Sequence, residues 1–487
     1  MFKNTAAILS IRLRKARGRS SRSRNPRRAL SCLVLFSLFA IVTTPSPAQT
    51  FTSLFSFNGT NGQAPDYGYL TQGIDGRFYG TTAAGGSNAG GTVFKITPQG
   101  ALTTIYNFCS QPNCADGKEP LSGVVLGTDG NFYGTASAGG ASGDGTVFQI
   151  TSSGVLTTLH SFNGTDGMSP AAQLTQGTDG EFYGSTQDGG MNRGDGTIFK
   201  ITSEGSLLTI ATFYDSNKQG SNPFSALVQG DDGDFYGLTP KRELRCCGAF
   251  FKVTPGGTLT TLALMETVGK YPYDPPVLAA DGNFYAVTSG GQRAGTFFQA
   301  TASGSLTLLY SFGSDGRDPI GGLVQATDGN FYGTTYGSSG CKGEGLIQCG
   351  TILELTSDGS STLLHNFDIT DGSHPVGGLI QATDGNFYGT TTTGGTDNDG
   401  TIFSLATGLG PFVKSLPTAG AVGKAVTILG TNLTGTTTVS FNGTAATFTA
   451  SGSAINTTVP AGATTGTIKV TTPTGTLSSN VVFTVTP

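Results

Sequence analysis

Side chains able to do chemistry are few in this sequence, and most stand alone. The densest group is Pro240-Lys241-Arg242-Glu243-Leu244-Arg245-Cys246-Cys247, where Lys241, Arg242 and Arg245 set three cations in one short stretch. Guanidinium and ammonium groups at that density suit an anionic ligand or a glycan; the blander reading is a solvated insertion. Histidine occurs three times. His160 and His365 fall in a slot that Tyr106 and Tyr310 fill elsewhere, which marks them as packing variants, and His374 stands alone. No nucleophile and base are spaced as a catalytic pair, and HExxH, CxxC, Gly-x-Ser-x-Gly and phosphate-loop patterns are missing. Asp66, Asp274 and Glu344 occur outside any repeated phrase, and glycoside cleavage would need two such carboxylates at a set separation. Asp195, Asp397 and Asp399 sit in Gly-Asp-Gly and Asp-Asn-Asp-Gly loops that suit calcium, but the same composition makes ordinary turns, the preferred reading. The residues name no catalytic group, no metal and no cofactor.

The elements that would carry these residues are strands. The chain has 487 residues, 76 glycines and no tryptophan, and its charged share of 12% is half the usual ~25%. Short Val/Ile/Phe/Tyr/Thr runs punctuated by Gly, Asn, Asp and Pro recur throughout, and no helical period of apolar residues appears beyond the N-terminus. There, ten basic residues and no acid lie between Lys3 and Arg28, an apolar run follows from Ala29 to Val42, and Ser46-Pro47-Ala48 offers a cleavage site. Residues 1–48 read as a signal peptide. The apolar run of 14 residues falls short of the ~20 that span a bilayer, so no membrane insertion is expected after the signal is removed. Arg27-Arg28 leaves Sec and twin-arginine export open, and Cys32 is misplaced for lipidation.

Without those cations, 17 Lys and Arg face 31 Asp and Glu, a net charge near −14. Such acidity argues against nucleic acid as a partner. An extracellular, periplasmic or cell-surface location follows, and the six remaining cysteines are expected to be oxidised. Cys109 with Cys114 and Cys341 with Cys349 would staple loops; Cys246 and Cys247 either bridge each other or pair elsewhere.

One phrase organises the rest. Asp75-Gly76-Arg77-Phe78-Tyr79-Gly80 returns with small changes at Asp129, Asp179, Asp232, Asp281, Asp328 and Asp384, with tyrosines 47 to 56 residues apart. Repetition at that period means an array of like units. The sixth unit reads as four strands, Gly322 to Ala326, Phe331 to Thr335, Thr351 to Leu355 and Ser361 to Phe367. Asp-Gly between the first two predicts a type I′ hairpin turn. Phe51 to Phe57 matches a fourth strand with no unit before it, and Thr401 to Leu405 is a third strand with no fourth after it. The ends complete each other, giving a seven-bladed β-propeller over residues 51–407, its last blade closed by the N-terminal strand. The Phe-Tyr pairs are then core between blades rather than a binding ladder. Second-to-third and fourth-to-first loops vary while the other turns are uniform, so the variable ones should share one face and carry function.

The order Phe-Tyr-Gly-Thr-Thr, Gly-Gly, Gly-Thr-Ile-Phe, Leu-Tyr-Ser-Phe and Asp-Gly-x-x-Pro resembles the GloVer, or choice-of-anchor, tandem repeat of exported bacterial proteins. The resemblance implies a surface or secreted protein and carries no catalytic residues with it. Beyond a linker at 408–410, residues 411–487 contain Leu429-Gly430-Thr431-Asn432-Leu433, Phe441-Asn442-Gly443-Thr444 and Val459-Pro460-Ala461-Gly462, which resemble the IPT/TIG domain, a small Ig-like β-sandwich. The expected function is that of an exported, monomeric, non-enzymatic binding or structural protein whose partner is an extracellular glycan or a surface protein. The alternative is a propeller-type polysaccharide hydrolase or lyase with an accessory module.

Overall fold

A computed structural model of the protein describes residues 49–191, 194–214, 220–240, 248–291, 294–338 and 349–487. The expected signal peptide, residues 1–48, lies outside them. Among the described residues the architecture is all-β and propeller-like, with the repeated phrase at its centre. In the first repeat the strands Thr71–Gln72, Phe78–Thr82, Thr92–Ile96 and Leu102–Asn107 form one antiparallel sheet in chain order. Five more repeats do the same. In the seventh sheet the order is Ile380–Gln381, Phe387–Thr391, Thr401–Ala406 and then Thr50–Ser56, so the N-terminal strand supplies the missing fourth member, with Thr50 opposite Ala406.

Each Phe-Tyr-Gly strand is buried along its whole length. Alternation sends Phe and Tyr to opposite faces, and each tyrosine meets the phenylalanine of the next sheet. Tyr79 stacks on Phe132 with ring centroids 4.0 Å apart, and the pairs Tyr133–Phe182, Tyr183–Phe235, Tyr236–Phe284, Tyr285–Phe331 and Tyr332–Phe387 follow at 3.8 to 4.3 Å. Tyr388 then meets Phe78 at 4.1 Å, which returns the series to its start. Each contact adds about 0.5–1.5 kcal/mol beyond the area it buries.

The aspartate of the phrase does more than turn the chain. Its Oδ2 accepts the hydroxyl of its own tyrosine, at 3.0 Å for Tyr79 and Asp75 and 2.7 Å for Tyr133 and Asp129, and the same bond recurs in the other five copies. Burial and then the adjacent carboxylate push these phenols up, that of Tyr236 to about 12. The turn itself differs from expectation. Gly76 has φ 76° but Asp75 keeps a negative φ, and the Gly76 amide donates to Gly73 O at 3.0 Å. A type I′ turn needs two left-handed residues; here a type I turn ends in one left-handed glycine, and only that position demands Gly. The first strands also shrink to two residues in every repeat but the sixth.

Threonines explain another part of the pattern. The last residue of the second strand bonds the first of the third through buried hydroxyls, Thr82 to Thr92 at 2.8 Å, Thr186 to Thr197 at 2.8 Å and Thr335 to Thr351 at 2.7 Å. In the second sheet Ala136 takes the first place and leaves the buried Thr146 Oγ1 without a partner.

The C-terminal segment forms two further four-stranded sheets. One orders Lys414–Leu416, Ala425–Leu429, Ala454–Thr458 and Phe448–Ala450; the other orders Thr444–Ala445, Thr438–Phe441, Ile468–Thr472 and Gly475–Ser478. Ile428, Phe441, Ile455, Val470 and Phe483 fill the space between them. This segment seats on the uniform turns of the repeats. Ser453 Oγ donates to Ile74 O at 2.7 Å, the Thr383 and Thr431 hydroxyls lie 2.9 Å apart, and Leu429 and Ala454 join the apolar cluster around Tyr79 and Phe132. Lys414 Nζ donates to Gln381 O at 2.6 Å, and burial lowers the ammonium to about 8 against an opposing pull from Asp384.

Two outcomes follow. Ala136→Thr should restore the missing hydroxyl pair and stabilise the chain by about 1 kcal/mol in urea denaturation; a loss of stability would show that the site has no room. For Lys414, the unfolded chain holds a proton up to about pH 10.5 that the folded chain releases near 8. Stability from this group therefore rises with pH across that window. The melting temperature of the parent should climb relative to that of Lys414→Met between pH 7.5 and 9.5; parallel curves would refute it.

Candidate functional site

The two variable kinds of loop emerge on one face because they pair with each other. Among the described residues, fourth-to-first loops bridge to the following second-to-third loop, as Gln63 does to Ala84, Lys118 to Ala138, Met168 to Asp188, Lys270 to Gly290 and Ser373 to Thr393. Cys109 and Cys114 form the expected disulfide in one such loop. Beneath it Asp116 is fully buried. Burial raises its carboxyl, but hydrogen bonds from Tyr106, Ser110 and Gln111 outweigh burial and hold it below the ordinary value. Cys349 is also disulfide-bonded.

The expected anion or glycan site of Lys241, Arg242 and Arg245 lies outside the described residues, as do Cys246, Cys247, Cys341 and Glu344. The histidines have work beyond packing. His160 Nε2 lies 2.9 Å from Asp166 Oδ2 and His365 Nε2 2.9 Å from Asp371 Oδ2, the place that the Tyr106 hydroxyl takes toward Asp116 at 2.8 Å. All three tie an outer strand to the loop that leaves it. His374 Nδ1 stands 2.8 Å from Thr393 Oγ1, and burial lowers its imidazole. No group of three or more His, Cys, Asp or Glu that could hold a metal occurs among the described residues, so Asp195, Asp397 and Asp399 are not joined in one.

Two of the isolated acids, Asp66 and Asp274, act on one tyrosine, Tyr67. From the proline of Asp-Gly-x-x-Pro to the first strand, the second repeat needs five steps, Pro120 to Val125, while the first needs six, Pro65 to Thr71. The extra residue sends Tyr69 across the middle of the ring. Its hydroxyl reaches Asp274 Oδ1 of the fifth sheet at 3.4 Å. A Cβ at Gly322 of the sixth sheet would collide with that hydroxyl, and one at Gly378 of the seventh with the ring. Glycine stands at both positions because the tyrosine occupies the space.

Above this plug lies a small cavity of about 20 Å³, lined by Tyr67, Tyr69, Phe224, Tyr273 and Asp274 together with residues of the third, fourth and fifth repeats. Tyr67 meets Phe224 edge to face at 4.8 Å, Phe224 meets Tyr273 at 6.0 Å, and Tyr273 lies near-parallel to Tyr271 at 6.5 Å. Asp274 is 5% exposed, and its Oδ2 has no hydrogen-bond partner. Burial pushes its carboxyl well up, against the Tyr69 hydroxyl and the Gly322 amide, and burial raises Asp66 as well. Burial, then Asp66 and Asp274, raise the Tyr67 phenol to about 12, so both carboxyls act on this one ring. Among the described residues no cation stands within ion-pairing distance of either acid.

The aromatic residues of this mouth were not singled out from sequence. Their signal was positional. After the same proline, Leu121, Ala171, Ile320 and Val376 are aliphatic, whereas Phe224 and Tyr273 are aromatic and the first repeat has Asp66-Tyr67. Aligning the repeats on proline rather than on Phe-Tyr-Gly exposes the difference.

The Asp274 carboxyl makes a thermodynamic signature. Its folded pKa exceeds its ordinary 3.8, so its favourable contribution is present below about pH 4 and is lost as pH rises through the folded value. Asp274→Asn should therefore melt higher than the parent at pH 7 and equal it at pH 4, by scanning calorimetry. An equal or lower melting point at pH 7 would show that the carboxylate is compensated.

A family model described as the Gloeobacter/Verrucomicrobia repeat matches residues 39–243 and 225–459. No curated protein matches the chain. Among solved structures, PorZ, an essential surface component of the type-IX secretion system of Porphyromonas gingivalis, is similar at 14% identity and TM-score 0.45, over 90% of this chain and 61% of that one. A candidate 6-phosphogluconolactonase of Bacteroides uniformis is similar at 15% identity and TM-score 0.42, over 64% and 87%. A gluconolactonase of Xanthomonas campestris is similar at 14% and 0.35, over 53% and 78%. Likenesses of this size carry no argument about what the chain does.

Proposed function

Because the chain belongs to the Gloeobacter/Verrucomicrobia repeat family, we propose that it is an exported, non-enzymatic binding protein of the bacterial surface or extracellular space. In this reading residues 51–407 form a seven-bladed β-propeller and residues 411–487 an Ig-like module of IPT/TIG type. The series of Tyr–Phe stacks that returns from Tyr388 to Phe78 supports the closed ring, and the two facing four-stranded sheets support the module. Export rests on the N-terminal sequence, and a monomer on the short outer edges that closure leaves.

The observation that carries the binding reading is the mouth of the hub. There Tyr67, Phe224 and Tyr273 gather beside Asp274, whose Oδ2 has no hydrogen-bond partner among the described residues, while the repeated aromatics are consumed between sheets. Half-buried rings beside a buried polar group are what a ligand site needs and a core does not. The C-terminal segment seats on the turn side and leaves the loop side open. Glycan or surface protein is the partner class, and the Lys241, Arg242 and Arg245 stretch remains a second region to mutate.

One observation favours the hydrolase or lyase alternative: two carboxyls held above their ordinary values act on one tyrosine. Against it, among the described residues neither has a cationic partner that would keep it ionised. A panel of polysaccharides tested for both retention and turnover separates the two. Binding without turnover, weakened at least tenfold by Tyr67→Ala or Tyr273→Ala, is expected. Turnover that Asp274→Asn abolishes would overturn the non-enzymatic reading.

A further inference from the structure

We propose that the hub mouth receives an organic ammonium group, held against the rings of Tyr67, Phe224 and Tyr273 and neutralised by the carboxylate of Asp274. This deepens the preceding reading of the mouth as a binding site and rests on it. Asp274 is 5% exposed and its Oδ2 has no partner among the described residues, and a buried carboxyl oxygen left so costs folding free energy unless a complementary group arrives. It lines the same cavity as the three aromatic rings. Aromatic faces attract cations through their quadrupole, most strongly where water is excluded.

The chemistry of the surroundings narrows the ligand further. Every titratable group that acts on the Tyr67 phenol is an oxygen acid, namely Asp66, Asp274, Tyr273 and Tyr336. An anion would meet repulsion there. A hard cation such as calcium takes six to eight oxygen ligands, and no cluster of three metal-binding side chains exists among the described residues.

Binding would move a proton. Burial keeps the Asp274 carboxyl protonated above its ordinary range, with the Tyr69 hydroxyl, the Gly322 amide and Tyr67 as the groups that face it. An incoming ammonium converts the carboxylic acid to carboxylate and releases that proton to solvent, so affinity rises with pH.

The test titrates the purified chain calorimetrically with choline chloride and with 3,3-dimethyl-1-butanol, its uncharged isostere, at pH 6 and pH 8.5. Calcium chloride and glucose are the other arms. Choline should bind at least tenfold more tightly than the isostere, more tightly at the higher pH, and with net proton release. Asp274→Asn should weaken choline at least tenfold and remove the pH dependence. Tyr67→Phe should keep choline binding and Tyr67→Leu should lose it, with near-ultraviolet circular dichroism confirming that each variant is folded. Equal affinity for the isostere, a preference for calcium, or affinity that falls with pH would overturn the ammonium assignment. Retention of glucose or a polysaccharide through Tyr67 and Phe224, with choline silent, would overturn it too and leave the mouth standing as a binding site. Loss of no ligand on Tyr67→Leu or Phe224→Leu would overturn both.

Discussion

Every sheet of the repeat array is held by one arrangement: a tyrosine that stacks on the phenylalanine of the next sheet while its hydroxyl is anchored to an aspartate of its own turn. The stack is apolar and joins sheets; the hydrogen bond is polar and fixes where the ring points. Neither suffices alone, because a buried phenol without an acceptor would be costly and a freely rotating ring would not hold the spacing between sheets. The phrase Asp-Gly-x-Phe-Tyr-Gly thus encodes turn, orientation and contact within six residues. Its sevenfold use means that no single copy is a site.

With the phrase consumed by construction, the two sides of the ring diverge. Turns between first and second strands are short and uniform, and the C-terminal segment uses that regularity as a seat, through Ile74, Gln381 and Thr383. The other side carries loops that zip to one another in pairs, so even its variable segments are anchored near their bases. Departures from the repeat collect where that side meets the axis. The extra residue before Thr71 places Tyr69 across the ring, and aromatic residues replace aliphatic ones above it.

The fold was legible in the sequence because it is written many times over. Third strands agree with expectation to the residue in the sixth repeat, and the pairing of Thr50–Ser56 with Thr401–Ala406 follows from counting strands at the two ends. The turn type was misread because Asp-Gly supports both a two-residue I′ turn and a longer turn closed by a single left-handed glycine, and only backbone angles separate them. In the C-terminal segment Gly475–Ser478 escaped notice because Thr-Leu-Ser after a glycine has no alternation to mark it. The hub was half legible. Asp66 and Asp274 stood out as acids outside the repeated phrases, but the contact of Tyr69 with Asp274 depends on the first and fifth repeats reaching one axis, which no local pattern records. Tyr67, Phe224 and Tyr273 looked like ordinary loop aromatics until the proline before each set their depth.

The strand Thr50–Ser56 has a consequence in time. It is among the earliest parts of the fold to be made, yet its partner Thr401–Ala406 is made more than three hundred residues later. Until then the N-terminal strand has no edge to join, and every intermediate is an open arc with two unsatisfied rims. Contacts so distant along the chain fold slowly, and exposed rims invite pairing with the wrong neighbour. A chain built this way gains from being kept unfolded until its last repeat is present, and a truncation after the sixth repeat would remove more than one sheet: it would strand the first segment as a permanent loose end.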